Sequence, residues 1–254
     1  MVYSIAFAGK GGVGKTTTCG LFIDFLTKNG KTPVLAVDAD PNSNLNEVLG
    51  VPLELTLGEI REEIAGAGVT DAIPVHMSKP EYASLKFADA IVEEDGYDLL
   101  VMGRSQGKGC YCYVNDLLRD QIMRYYKNYK FLVVDNEAGL EHISRGVLPP
   151  VDLILLVSDC SRRGVQAAGR IAQMIKELNL KVKKTFLIIN RVPQEGVEAG
   201  VKEEIEKQGL DLIGFLPQDE QVYRYDAEGK PLISLPEDSK LKIALSQIVK
   251  KLEL

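Results

Sequence analysis

No window of this sequence approaches the ~20 consecutive apolar residues that a membrane-spanning helix requires. Its apolar start, Val2–Ala8, runs straight into glycines, without the basic leader or small-residue cleavage site of a secretory signal. The expected location is therefore the cytoplasm. An excess of positive charge is missing too: 36 acidic residues outnumber 30 basic ones, for a net charge of −6. A chain of that sign is not built to neutralise a phosphate backbone, so neither nucleic acid nor a membrane is expected as a partner, although a local basic patch stays open. Cysteine is scarce. Cys19, Cys110, Cys112 and Cys160 are too few to staple 254 residues together, which excludes a disulfide scaffold. Of the two histidines, His142 reads as a packing or capping residue, and His76 sits in a loop with no visible partner. There is no internal repeat, low-complexity tract or Pro/Ser linker, and the simplest reading is a single domain over residues 1–254.

What is present is a regular alternation of short apolar runs with longer helical patterns. Strands are expected at Val2–Ala8, Pro33–Asp38, Tyr97–Met102, Lys130–Asp135, Leu153–Val157, Lys184–Asn190 and Leu210–Phe215. Helices are expected at Thr17–Lys28, Leu57–Ala65, Pro80–Glu94, Val114–Tyr126, Val165–Leu178, Val197–Gln208 and Lys240–Leu252. The apolar runs are nearly continuous instead of alternating with polar residues, as in strands buried on both faces. The expected fold is therefore α/β, a doubly wound, mostly parallel sheet with helices on both faces.

The strongest local signal is Gly9-Lys10-Gly11-Gly12-Val13-Gly14-Lys15-Thr16, which fits G-x-x-x-x-G-K-[ST] between a strand and a helix. Glycines allow a tight turn that brings backbone N–H groups against phosphate oxygens, and the following helix adds positive potential at its N-terminus. In such a loop Lys15 reaches the β- and γ-phosphates of ATP, and the Thr16 hydroxyl ligates Mg²⁺. A glycine turn with no ligand is the competing reading.

Lys10 and Thr17 extend the motif to Lys-Gly-Gly-x-Gly-Lys-Thr-Thr, which resembles the deviant Walker A ATPases (MinD/ParA and nitrogenase iron protein-like, SIMIBI-class P-loop NTPases) along essentially the whole chain. The resemblance implies a homodimer in which Lys10 reaches the partner's ATP. It also implies that Asp38-Ala39-Asp40-Pro41 is a first switch, continuing through Asn42 and Asn44. There Asp40 orients the attacking water and Asp38 lies near the Mg²⁺ shell. Asp135-Asn136-Glu137-Ala138-Gly139 resembles the second switch, with Asp135 acting on Mg²⁺. Asn190 resembles the adenine-reading asparagine, and the loop Gly214–Asp219, with Pro217, resembles the segment beside the base. Taken singly, each acidic residue at a strand end also reads as a helix cap or turn.

Residues 103–113, Gly-Arg-Ser-Gln-Gly-Lys-Gly-Cys-Tyr-Cys-Tyr, present Cys110 and Cys112 between a strand and a helix. In extended backbone both side chains point the same way, with Cα atoms ~6.6 Å apart. That is near the upper limit for a disulfide, and two thiolates on one face suit a soft metal better. Two cysteines are half of a tetrahedral site, and a dimer supplies the rest. Buried or ordinary loop cysteines are the alternative. Together with Asp-Asn-Glu-Ala-Gly-Leu-Glu-His-Ile-Ser-Arg-Gly (135–146), this pattern resembles the CooC family, nickel-insertion accessory ATPases of carbon monoxide dehydrogenase, and the related AcsF branch acting on acetyl-CoA synthase. The resemblance implies Ni²⁺ or Zn²⁺ at the paired cysteines and one of those nickel enzymes as client. No cysteine accompanies Gly139, which disfavours an iron–sulfur reductase of the nitrogenase type. Cys19 and Cys160 read as structural.

Two other functions share the phosphate loop: a positioning or partition ATPase, and an iron–sulfur carrier ATPase. The first needs a membrane or DNA surface. The amphipathic C-terminus, with Leu241, Leu245, Ile248 and Leu252 in one stripe, suits either a membrane tail or a helix covering the sheet, and the second is favoured.

Overall fold

The computed structural model describes residues 2–66, 73–104, 112–137 and 148–254; of residues 112–118, the backbone and the side chain of Asp116 are described. Eight strands form one sheet: β1 (Tyr3–Ala8), β2 (Val34–Ala39), β3 (Ile91–Glu94), β4 (Tyr97–Val101), β5 (Phe131–Asn136), β6 (Leu153–Asp159), β7 (Lys184–Val192) and β8 (Leu212–Pro217). Their order is β3-β4-β2-β5-β1-β6-β7-β8, and every pairing is parallel except β3 against β4. β1, β2 and β5 are buried along almost their whole length, which is why their apolar runs are unbroken.

Among the described residues nine α-helices flank the sheet: α1 (Lys15–Lys28), α2 (Leu45–Leu49), α3 (Leu57–Gly66), α4 (Lys79–Asp89), α5 (Cys112–Tyr125), α6 (Arg162–Glu177), α7 (Ala199–Gln208), α8 (Glu220–Ala227) and α9 (Lys240–Lys251). Period-2 alternation of the strands sends side chains into two separate cores. Ile5 and Phe7 meet α1, α2 and α9, with Phe22 of α1 edge-on to Phe7 at 5.3 Å between ring centres. Ala6 and Ala8 face α3 to α7. The doubly wound reading thus holds. The apolar stripe of α9, Leu241, Leu245, Ile248 and Leu252, lies in the first core. Among the described residues no helix is long and apolar enough to cross a membrane.

The expected helix Pro80–Glu94 is a correction. α4 starts at Lys79 behind a reciprocal Ser78/Glu81 capping box and stops at Asp89, and Ile91–Glu94 turns back as the antiparallel edge strand β3. The cause is Asp95-Gly96, a two-residue hairpin connection in which Gly96 takes φ +86°. Two short helices, α2 and α8, have no counterpart among the expected elements. α8 follows β8 directly, so α9 is not the first helix after the last strand.

Since β1 lies between β5 and β6, its connections leave the sheet at the point where strand order reverses. That is the crevice at the carboxyl ends of the strands where open α/β sheets bind ligands.

Candidate nucleotide site at the carboxyl ends of the strands

The glycine loop leaves β1 at Ala8 and enters α1 at Lys15. Gly9 passes so close to β6 that a Cβ would stand 2.1 Å from the Val157 carbonyl oxygen. Gly14 takes φ +89°, and a Cβ there would meet Asn190 Nδ2 at 2.4 Å. These contacts explain why the turn needs glycine at both positions. α1 begins without a side-chain cap and without an acidic residue in its first turn, leaving its N–H groups and positive end open to an anion. Lys15 is only 6% exposed, and its ammonium donates to the Lys10 carbonyl at 3.3 Å. Lys10 is exposed.

Beneath the loop lie two buried carboxylates. Asp38 and Asp135 occupy paired positions on β2 and β5. Asp38 accepts from the backbone N–H groups of Asp40 and Leu45, both at 3.0 Å. Burial pushes its carboxyl up to about 6 against those two hydrogen bonds. Asp135 is pushed up to about 7, chiefly by burial and further by the charge of Asp38, while Thr16 and Lys15 pull it back. Neither oxygen of Asp135 has a hydrogen-bond partner. An ionised, dry carboxylate with no partner is costly, and a hard cation bridging Asp135 and Thr16 would satisfy it with oxygen donors that suit Mg²⁺. Asp40 is half-buried, and its own Oδ1 accepts from the Asn42 N–H at 2.8 Å.

On the other side of the loop, Asn190 at the end of β7 donates from Nδ2 to the Val13 carbonyl at 2.9 Å, and its Oδ1 accepts from the Arg191 N–H at 2.8 Å. Next to it opens a cavity of about 870 Å³, with Gly14, Thr17, Asn190 and Pro217 in its wall. That volume suits a bound small molecule the size of a nucleotide. With Gln218 and Asp219 of the expected Gly214–Asp219 loop also in its wall, six residues expected from the sequence share one cavity. The rest of the wall was not legible in the sequence: α8 supplies Val222, Tyr223 and Arg224, and α9 supplies Leu241. Asp219 holds these two helices together, its Oδ1 accepting from the Gln221 N–H at 3.0 Å and its Oδ2 from the Leu241 N–H at 3.2 Å. An isolated Gln-Asp-Glu after Pro217 gives little hint of a cap that serves two helices at once.

Cys110, His142 and Gly139 lie outside the described residues; Cys112 is the first residue of α5, with its side chain outside them. Among the described residues no cluster of three or more His, Cys, Asp or Glu side chains has metal-binding geometry. Cys19 is buried in α1, where burial and the nearby Asp135 and Asp38 push its thiol well above the usual range. Burial also raises the Cys160 thiol, which packs at the edge of the second core. Both therefore read as unreactive structural thiols.

A parallel doubly wound sheet with a glycine loop, a buried lysine and paired carboxylates at its carboxyl edge defines a P-loop ATPase. The chain belongs to the CobQ/CobB/MinD/ParA nucleotide binding domain family, whose pattern it matches over residues 5–232. It is similar to an ATP-binding protein of Methanocaldococcus jannaschii, 44% identical over 98% of this chain and 97% of that one. It is also similar to the carbon monoxide dehydrogenase accessory protein CooC of Rhodospirillum rubrum, 31% identical over 89% of this chain and 87% of that one. In fold it resembles the septum site-determining protein MinD complexed with Mg-ADP from Pyrococcus horikoshii, with a TM-score of 0.72, 21% identity and coverage of 100% and 96%.

Proposed function

We propose that this protein is one ATPase unit that pairs with a second copy and uses ATP to load and deliver nickel to a carbon monoxide dehydrogenase or acetyl-CoA synthase. In this reading the glycine loop and Lys15 hold the triphosphate, Thr16 and Asp135 hold Mg²⁺, and Lys10 reaches the partner's nucleotide. Asp40 orients the water that attacks the γ-phosphorus, releasing ADP and phosphate. Pro217, Asn190 and α8 enclose the base. Cys110 and Cys112 of both copies complete a four-sulfur shell for Ni²⁺, with Zn²⁺ as a competitor. Metal affinity then depends on pairing, and pairing on nucleotide.

The observation that carries this reading is the sequence Cys110-Tyr111-Cys112, whose last residue begins α5, in a chain 31% identical to a protein named for carbon monoxide dehydrogenase accessory function. A positioning ATPase is the second reading, favoured by the MinD-like fold. Against it, the amphipathic C-terminal stripe that would serve as a membrane tail is spent in the core. An iron–sulfur carrier shares the paired thiols and would give a brown, oxygen-sensitive chromophore on reconstitution.

The test is calorimetric titration of Ni²⁺ and Zn²⁺ into the wild type and Cys110→Ser/Cys112→Ser, with and without a nonhydrolysable ATP analogue, while light scattering tracks mass. Tight metal binding that needs both cysteines and coincides with doubling of the mass is expected. Equal Ni²⁺ affinity in the two proteins, or a monomer with both ligands bound, rejects the proposal.

A further inference from the structure

The sequence points to Asn190 as a reader of the base, yet the chain itself occupies half of its amide. An asparagine amide has two donor hydrogens and two acceptor lone pairs. One hydrogen goes from Nδ2 to the Val13 carbonyl at 2.9 Å, and one lone pair of Oδ1 takes the Arg191 N–H at 2.8 Å. The residue is buried, and its loop partner lies 177 positions away. Among the described residues, no other side chain from outside the loop and α1 bonds to the backbone of residues 9–14.

The local backbone is bent to make this contact. Ile189 pairs with Phe215 and Val192 with Pro217, so β7 takes three steps where β8 takes two. The extra residue makes a bulge, a device that re-aims a side chain near the end of a strand. Within it Arg191 adopts φ +56°, a left-handed conformation that a residue with a Cβ avoids unless its surroundings impose it. Asn190 Oδ1 holds that turn through the Arg191 N–H. Facing it, the loop makes room: a Cβ on Gly14 would meet Asn190 Nδ2 at 2.4 Å and Cγ at 3.7 Å. Bulge, left-handed turn and glycine all serve the one bond to Val13.

What that bond does follows from peptide planarity. The Val13–Gly14 peptide is trans, so its C=O and N–H point in opposite directions. Drawing the Val13 carbonyl toward β7 therefore turns the Gly14 N–H away from β7. It also keeps a carbonyl oxygen, which an anion repels, directed at a donor of the protein. The Gly14 N–H has no acceptor among the described residues, so it is open to a phosphate oxygen.

We propose that Asn190 is a positioning residue of the phosphate loop: from β7 it fixes the Val13–Gly14 peptide so that the Gly14 N–H is held ready for phosphate, whether or not a base is present. The inference rests on the phosphate-loop reading and is independent of the metal reading. A loop rich in glycine loses much conformational freedom when it closes on an anion. A brace that removes part of that freedom beforehand strengthens phosphate binding without touching the phosphate. A residue that only reads the base leaves phosphate binding alone, and that difference separates the two roles.

The experiment uses the full chain with Mg²⁺ and two probes: tripolyphosphate, which carries the phosphates and no base, and a nonhydrolysable ATP analogue. The proteins are wild type, Asn190→Ala and Asn190→Asp. The aspartate keeps the size of the side chain and an oxygen for the Arg191 N–H, and removes the donor to Val13. Both variants should melt cooperatively above the assay temperature and bind tripolyphosphate roughly tenfold more weakly, the effect of one hydrogen bond. Affinity for the ATP analogue should fall by at least that factor. In ¹⁵N-glycine-labelled wild type, tripolyphosphate should shift the Gly14 amide resonance, a readout that needs no variant to fold. Tripolyphosphate affinity unchanged in Asn190→Asp, with the loss confined to the ATP analogue, makes Asn190 a base reader and overturns the inference. A Gly14 amide unmoved by tripolyphosphate overturns it as well. So does a wild type that binds the ATP analogue and no tripolyphosphate, because the loop is then not held ready without a base. If wild type binds neither probe, the phosphate-loop reading itself falls and takes the inference with it.

Discussion

Asp38 and Asp135 stand opposite each other on adjacent parallel strands, both fully enclosed, and only Asp38 has hydrogen-bond donors on its carboxylate. Two acids in one dry layer make the protein without Mg²⁺ and nucleotide strained at neutral pH. Both native carboxyls titrate above their ordinary 3.8, at about 6 and about 7. The native state therefore binds protons more tightly than the unfolded chain, and these groups lower stability as pH rises from about 4 to about 7. Acidifying the metal-free protein from pH 8 toward 6 should stabilise it, by on the order of 1 kcal/mol per pH unit while Asp135 titrates. Asp135→Asn should flatten that slope in denaturant titrations at several pH values. Mg²⁺ affinity should run the opposite way, weakening on acidification as protons compete for the same carboxylate. Parallel pH–stability profiles for wild type and Asp135→Asn would contradict the assignment.

Gly14→Ala sets two costs at one position: a left-handed φ and a Cβ within 2.4 Å of Asn190 Nδ2. A loss of about 1–3 kcal/mol in urea denaturation is expected, with weakened nucleotide binding. Adding Asn190→Ala relieves the collision and leaves the φ strain, so the double variant should be less damaged than the sum of the single ones. Strict additivity would show that the two residues do not meet.

Lys15→Ala should abolish ATP turnover in a phosphate-release assay while the melting profile stays cooperative. The ammonium sits almost buried at the mouth of α1, with the Lys10 carbonyl as its one bonded acceptor among the described residues, so its charge is aimed at the loop. Turnover near wild type would remove Lys15 from the chemistry.

Leu245→Ala should lower stability by about 2–5 kcal/mol, because Leu245 is buried between α9 and the sheet. A membrane-tail role for the same stripe predicts unchanged stability and lost liposome binding. The core role predicts no ATP-dependent pelleting with liposomes in the wild type.

The phosphate loop and the doubly wound sheet were legible from the chain because both are local statements. The loop is eight contiguous residues between a strand and a helix, and the sheet is a repeated run of unbroken apolar strands. The helix assigned to residues 80–94 failed for a local reason too, since Asp95-Gly96 ends the pattern by making a hairpin. What the sequence determined by itself was the loop, its lysines and the presence of acids at strand ends. Only the tertiary structure decided which of these meet: that Asp38 aligns with Asp135, that Asn190 closes on Val13 from 177 positions away, and that Arg104 reaches Asn42. Those meetings are set by strand order and register, which bring distant residues to one sheet edge, and no short-range periodicity encodes them.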